Sequence, residues 1–254
     1  MAITIKSERE IELMAEAGKI LERVHNELEK ALHPGMSTKD IDTLGEEIIR
    51  SYGCIPSFLN YNGYPASICV SVNQEVVHGI PDKHRIIHEG DIVSLDAGLI
   101  YKGYHSDAAR THAVGEVSEE AKKLIQVTKE CFFEGIKYAK AGNHLFDISG
   151  AIGRYAEERG YGVVRDLCGH GIGTALHEAP EIPNYEVGRK GVKLRPGMTL
   201  AIEPMINIGT YEVDWLDDDW TVVTRDGSLS AHYENTILIT EGEPRILSLT
   251  CDNE

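Results

Sequence analysis

At 254 residues and 42% hydrophobic content, the chain can bury one sizeable core or two smaller ones. Its formal net charge of −16 argues against nucleic acid as a main ligand, because phosphate binding needs clustered Lys and Arg. Five scattered cysteines without C-x-x-C argue against a disulfide framework or zinc ribbon and fit reduced thiols in a cytoplasm; there is no signal-peptide core, and no apolar run approaches the ~20 residues of a membrane span.

"SERE", Ser7 to Glu10, reads as a capping box opening an amphipathic helix. Ile11, Met14, Leu21, Leu28 and Leu32 follow near helical spacing, and "HPG" ends the run. A second helix is expected over about 38–52, stopped by Gly53, then strands near 67–72, 92–100 and 104–113. The last two form a hairpin if Lys102-Gly103 is a two-residue turn, which sets Tyr101 opposite Tyr104 and Asp107 opposite Gly98. Asp96 and Asp107 are then diagonal neighbours on one face, and Gly98 leaves room beside them for a cation. Helices over roughly 119–139 and 145–159 follow, with strands near 163–167, 198–206, 221–224 and 232–239.

Helices then strands thus occur twice, and the halves resemble each other. Gly35, Asp40, Ile41 and Gly53 recur 107 residues on as Gly142, Asp147, Ile148 and Gly160. At the same offset "IHEGDIVSLD" aligns with "LRPGMTLAIE", pairing Asp96 with Glu203, and an offset of 127 pairs Asp107 with Glu234. The reading is a duplication, with repeats over roughly 13–116 and 120–245 inside a single catalytic domain spanning 1–254.

A lone ionised carboxylate in a buried strand such as "MTLAIEPMI" costs several kcal/mol unless it is partnered or neutralised. A Lys or Arg partner would satisfy one such acid; for four acids in two matched pairs, a shared cation is the economical answer. Four acids outnumber what one divalent ion needs, so two ions with bridging carboxylates balance the charge. His170 in "CGHGIG" is the best-placed imidazole, its flanking glycines permitting close approach, and His78 and His177 are further candidates. "HEAPE" is not H-E-x-x-H, no G-x-S-x-G elbow exists, and a phosphate loop lacks its lysine.

Asp96, Asp107, His170, Glu203 and Glu234, set within "HGIPD", "GHGIG", "IEPM" and "SAHYENT", resemble the type I methionine aminopeptidases along essentially the whole chain. The resemblance implies an α+β "pita-bread" fold: two pseudo-symmetric halves with an antiparallel sheet covered by helices. It implies that Asp96 ligates one metal, His170 and Glu203 the other, and that Asp107 and Glu234 bridge both. A water or hydroxide between the metals would attack the first peptide bond, Glu203 would relay the proton, and His78 and His177 would contact the scissile peptide. A methionine pocket is implied at Phe58, Tyr61, Tyr64, Cys69, His78, Leu176 and Trp220. Leu176, where the family often has an aromatic residue, and the acidic "DDD" before Trp220 depart from its pattern.

Four carboxylates and one imidazole suit Mn²⁺, Fe²⁺ or Co²⁺, with Zn²⁺ as an alternative. The implied activity removes N-terminal Met from nascent chains whose second residue is small, in a cytoplasmic monomer that meets the ribosome only transiently and has no membrane or nucleic-acid substrate. Xaa-Pro peptidases of the same fold carry a large extra N-terminal domain, whereas here the pattern begins within ten residues. Type II enzymes carry an insertion where only 25 residues separate His177 from Glu203. A non-catalytic peptide-binding relative would have lost metal ligands. The chain's own Met1-Ala2 start is a substrate for such an enzyme, so intact mass should show Met1 removed.

Overall fold

The structure is a computed structural model describing residues 3–249; Met1-Ala2 and Cys251 lie outside the described residues. The expected helices form as α1 (Glu8–Ala31), α2 (Thr38–Ser51), α3 (Glu119–Ile136) and α4 (Leu145–Glu157). The α1 capping box is present: the Glu10 carboxylate accepts the Ser7 N–H at 2.7 Å. Helix α1 buries Met14, Ala17, Leu21, Val24 and Leu28 on one stripe, each large apolar side chain contributing about 1.5–3 kcal/mol on burial. Helix α3 ends before residue 139 because its last turn tightens, Tyr138 and Ala139 donating to Gly135 and Ile136.

The hairpin forms in the expected register. Strands Ile92–Tyr101 and Tyr104–Ala113 pair Tyr101 with Tyr104 and Gly98 with Asp107. Lys102 and Gly103 take φ of 48° and 88°, as a turn with two left-handed residues requires. The hairpin anchors a nine-stranded antiparallel sheet, ordered Ile55–Pro56, Ile92–Tyr101, Tyr104–Ala113, Glu234–Leu238, Thr199–Ile202, Gly169–Gly171 and Glu178–Ile182. Ile68–Val72 also pairs with Ile92–Tyr101, and Arg245–Ile246 with Glu234–Leu238. Two three-stranded sheets flank it: Ser230–His232, Met205–Asn207 and Gly162–Val163 in one, Val213–Trp215, Val222–Thr224 and Glu75–Val77 in the other.

Side-chain alternation divides the hairpin into two faces. Val93, Leu95, Ala97 and Leu99 pack into a core with Leu21, Val24 and Leu28 of α1 and Ile41, Ile48 and Ile49 of α2, so Asp96 and Gly98 point the other way. In the second half, Leu200, Ile202 and Ile237 pack with Leu124 and Phe132 of α3 and Ile148 and Ile152 of α4. The halves meet where Tyr104–Ala113 pairs with Glu234–Leu238, setting Glu234 opposite Ala109. The matched glycines share conformation: φ is 96° and 94° at Gly35 and Gly142, 71° and 82° at Gly53 and Gly160, and 96° and 86° at Gly90 and Gly197. Two isolated bridges, Ser37 to Ile86 and His144 to Lys193, stand at the same 107-residue spacing.

Two expected strands are each broken in two. The 198–206 run becomes Thr199–Ile202 and Met205–Asn207, in different sheets, with Glu203-Pro204 at the break. Pro204 has no N–H for a ladder, and its carbonyl accepts the Tyr233 N–H at 3.2 Å. The 232–239 run splits likewise at Tyr233, into Ser230–His232 and Glu234–Leu238. Both glutamates therefore sit where a strand passes from one sheet to the next. The 163–167 run is a strand only over Gly162–Val163.

Candidate metal centre

Asp96 and Asp107 enter the site from the hairpin's open face, and each has a buried oxygen, Oδ1, without a hydrogen-bond partner. His170 lies on Gly169–Gly171, where a Cβ at either glycine would run into the carbonyl oxygen of Ala201 or Ala179. Its Nδ1 donates to the Gly171 carbonyl at 2.9 Å, which leaves the Nε2 lone pair free for a ligand. That Nε2 is 3.6 Å from Glu203 Oε1 and 3.9 Å from Asp107 Oδ2. Glu234 contributes another buried, unpartnered oxygen, Oε1, and ligand atoms of Asp107, His170 and Glu234 lie within 4.8 Å of one another.

Among the described residues, no Lys or Arg forms an ion pair with Asp96, Asp107, Glu203 or Glu234. The half-buried Arg110 makes its hydrogen bonds elsewhere. It donates to the main-chain carbonyls of Ala109 and Glu234 and, at 2.6 Å, to Asn235 Oδ1, and it stacks on Tyr233. The acids consequently hold protons above the ordinary carboxylate range. Burial pushes Asp96 up to about 7, a hydrogen bond with Asp107 pulling the other way. Burial, then the charges of Asp96 and Glu203, raises Asp107 well above its usual value; burial and Asp96 do the same to Glu203. Glu234 is raised by burial and by all three other acids. Unpartnered inward-facing oxygens, mutual repulsion and an imidazole with a free lone pair together form a donor set that fits divalent cations.

The expected pocket residues Phe58, Tyr61, Tyr64, Cys69, His78, Leu176, His177 and Trp220 line one cavity with the five expected ligands. Tyr64 packs edge-on against Trp220 at 5.1 Å and donates its hydroxyl to the Gly79 carbonyl. His177 lies edge-on to His170, with ring centres 4.2 Å apart, and its Nδ1 is 2.7 Å from the Tyr61 hydroxyl. His78 sits at φ 60°, edge-on to Trp220, and burial with the nearby His177 lowers it to about 4. The middle of "DDD" is a turn cap: Asp218 Oδ1 accepts the Trp220 and Thr221 N–H groups at 2.9 and 2.7 Å, which orients Trp220.

One expectation is corrected. The room beside Gly98 is not open to a cation, because a Cβ there would meet the Phe58 ring at 2.8 Å. Gly98 admits a wall of the pocket. Three residues near the site were not singled out in the sequence. His232 has Nε2 3.7 Å from Glu203 Oε2, His105 shares a 2.9 Å hydrogen bond with Ser57, and Asn62 lines the cavity at φ 49°. The one available signal was the place of His232 two residues before Glu234, which strand alternation would turn toward the same side.

A metal-binding peptidase site on this fold agrees with the comparisons. Residues 12–241 match the model of metallopeptidase family M24, and the chain belongs to that family. It is 59% identical to a methionine aminopeptidase of Clostridium acetobutylicum, over 97% of this chain and 99% of the relative. It is 51% identical to methionine aminopeptidase 1 of Bacillus subtilis, over 94% and 96%. A crystal structure of methionine aminopeptidase from Thermotoga maritima superposes with a TM-score of 0.96 at 47% identity, covering 98% of this chain and all of that one. Xaa-Pro dipeptidase from Bacillus anthracis is similar at TM-score 0.77 and 27% identity, over 97% of this chain and 62% of that one. The fold is the α+β pita-bread fold shared with these proteins, and the chain is a metal-dependent peptidase.

Proposed function

We propose that the protein is a type I methionine aminopeptidase that removes N-terminal Met from nascent proteins and peptides when the second residue is small. The observation that carries this is one cavity lined both by four acids without a Lys or Arg partner and His170, and by aromatic rings with Cys69. The high identity to named methionine aminopeptidases supports it.

In this reading Asp96, Asp107, His170, Glu203 and Glu234 hold two divalent ions (Mn²⁺, Fe²⁺ or Co²⁺, with Zn²⁺ as the alternative). Bound there, such ions acidify water and polarise a peptide carbonyl. Phe58, Tyr61, Tyr64, Leu176 and Trp220 exclude water and seat a flexible thioether, with Cys69 as a small apolar contact. The Tyr61 hydroxyl on His177 Nδ1 favours a proton on Nε2, where it can donate to a peptide oxygen. His78, lowered by burial, acts neutral toward the scissile amide. Glu203, ionised as a carboxylate, takes a proton from the attacking water and returns it to the leaving amine.

The chain acts as one catalytic domain over 1–254, built from a duplicated unit (13–116 and 120–245), as the shared glycine conformations support. We place it in the cytoplasm as a monomer that meets nascent chains at the ribosome transiently. The unpaired described cysteines and the acidic charge support that placement, and no helix of the described residues is long and apolar enough to cross a membrane.

The test is a peptide panel with chelated protein resupplied with Mn²⁺ or Co²⁺. Metal-dependent release of Met from Met-Ala-Ser, without cleavage of Leu-Ala-Ser or Ala-Pro, is expected. Preferential cleavage of Ala-Pro would replace this reading with an Xaa-Pro dipeptidase.

A further inference from the structure

Leu176 and His177 are carried by residues 172–177, which link strands Gly169–Gly171 and Glu178–Ile182 without regular pairing of their own. Ile172 and Leu176 are buried in an apolar cluster, and the Ala175 N–H donates to Glu178 Oε1 at 3.4 Å. Ile172 donates to the Thr199 carbonyl at 3.2 Å, and the Gly173 carbonyl accepts the His105 N–H at 2.8 Å. The Tyr61 hydroxyl reaches His177 itself.

At its far end the segment is tied to the front of the chain. Lys6 Nζ lies 2.6 Å from Glu178 Oε2, and Thr4 Oγ1 lies 2.5 Å from the same oxygen. Lys6 also bonds Thr4, and both charged side chains are buried, at 5% and 10% exposure. A Cβ at Gly173 would run into the Lys6 ammonium and Glu178 Oε1, so the ammonium sits directly under the turn. Lys6 is itself fixed, since its N–H donates to the Gly197 carbonyl at 2.8 Å and the next residue caps α1.

A buried ion pair is a poor source of net stability, because desolvation offsets its attraction and an apolar pair of similar volume often serves the fold as well. Fixed geometry is what such a pair supplies. We propose that Lys6 is a positioning residue: through Glu178 it sets the 172–177 segment, and with it Leu176 and His177, against the metal ligands. The proposal rests on the methionine aminopeptidase reading, in which His177 touches the scissile peptide.

The test compares the parent, Lys6→Met and the double variant Lys6→Met/Glu178→Met in full-length protein loaded with Mn²⁺. Thermal midpoint, bound metal, and kcat and KM on Met-Ala-Ser are measured for each. A shift near 1 Å at a substrate contact costs about 10²-fold, so Lys6→Met should lose roughly 10- to 100-fold in kcat, with KM raised as Leu176 shifts and bound metal little changed. The double variant, which buries no unpaired charge, should regain the parent's thermal midpoint while kcat stays low. Parent-like kcat in Lys6→Met, or kcat restored together with stability in the double variant, would overturn the proposal. A parent that releases no Met would instead remove the functional reading on which the proposal stands.

Discussion

Four buried acids without cationic partners should make the metal-free protein less stable at neutral pH than a variant lacking one of them. Asp96 has the clearest magnitude. Burial pushes it to about 7, against an ordinary 3.8. A group whose folded pKa is raised binds its proton more tightly in the folded state. Its contribution to stability is therefore fully present below pH 3.8 and is lost as pH rises through about 7. Three units at about 1.4 kcal/mol each amount to a loss on the order of 4 kcal/mol by pH 8. Asp96→Asn keeps the shape and the ability to donate toward Asp107 but cannot ionise. In urea unfolding with chelator, Asp96→Asn should exceed the parent by a few kcal/mol at pH 8, the gap closing toward pH 4. Restoring Mn²⁺ should reverse the order, since only the parent keeps the full ligand set. Stripped Asp96→Asn that is less stable than stripped parent at pH 8, or a gap that ignores pH, would refute the reasoning.

Glu203→Gln removes the proton acceptor while keeping the side chain's size. It should lower kcat by about 10²–10⁴-fold, and far more than it weakens peptide binding; undiminished turnover would sink the relay role. Gly98→Ala places a methyl against Phe58, with its Cβ 2.8 Å from the ring, and should cost about 1–3 kcal/mol while raising KM for Met-Ala-Ser at unchanged metal content. An unaltered thermal midpoint and KM in that variant would show that Phe58 is not a packed wall of the pocket.

The hairpin was legible in the sequence to the residue. A two-residue turn and strict alternation fix register, and register fixes which side chains share a face. The helices were legible for the same kind of reason, through caps and 3.6-residue spacing. The breaks at Glu203-Pro204 and Tyr233 were not, because an apolar run reads alike whether a strand stays in one sheet or passes into another. Short pieces such as Ile55–Pro56 and Glu75–Val77 are too brief to show alternation, and tertiary pairing alone defines them. The matched acids were legible because the repeat placed them twice in the same local setting. His105 was not, because nothing local separates a buried imidazole beside a site from any other histidine, and for His232 the two-residue spacing to Glu234 was the one signal. Gly98 shows the limit of counting pairs across a ladder: register gives the residue opposite, while the ring of Phe58 that fills the space comes from a separate loop.

The most direct measurement is a metal titration of chelated protein in which bound Mn²⁺ and the release of Met from Met-Ala-Ser are followed together, alongside Asp107→Asn. The expected result is Met release that rises from zero with bound metal to a limit of two ions per chain, with both lost in Asp107→Asn. Undiminished Met release from the stripped parent, or from an Asp107→Asn protein that binds no metal, would contradict it.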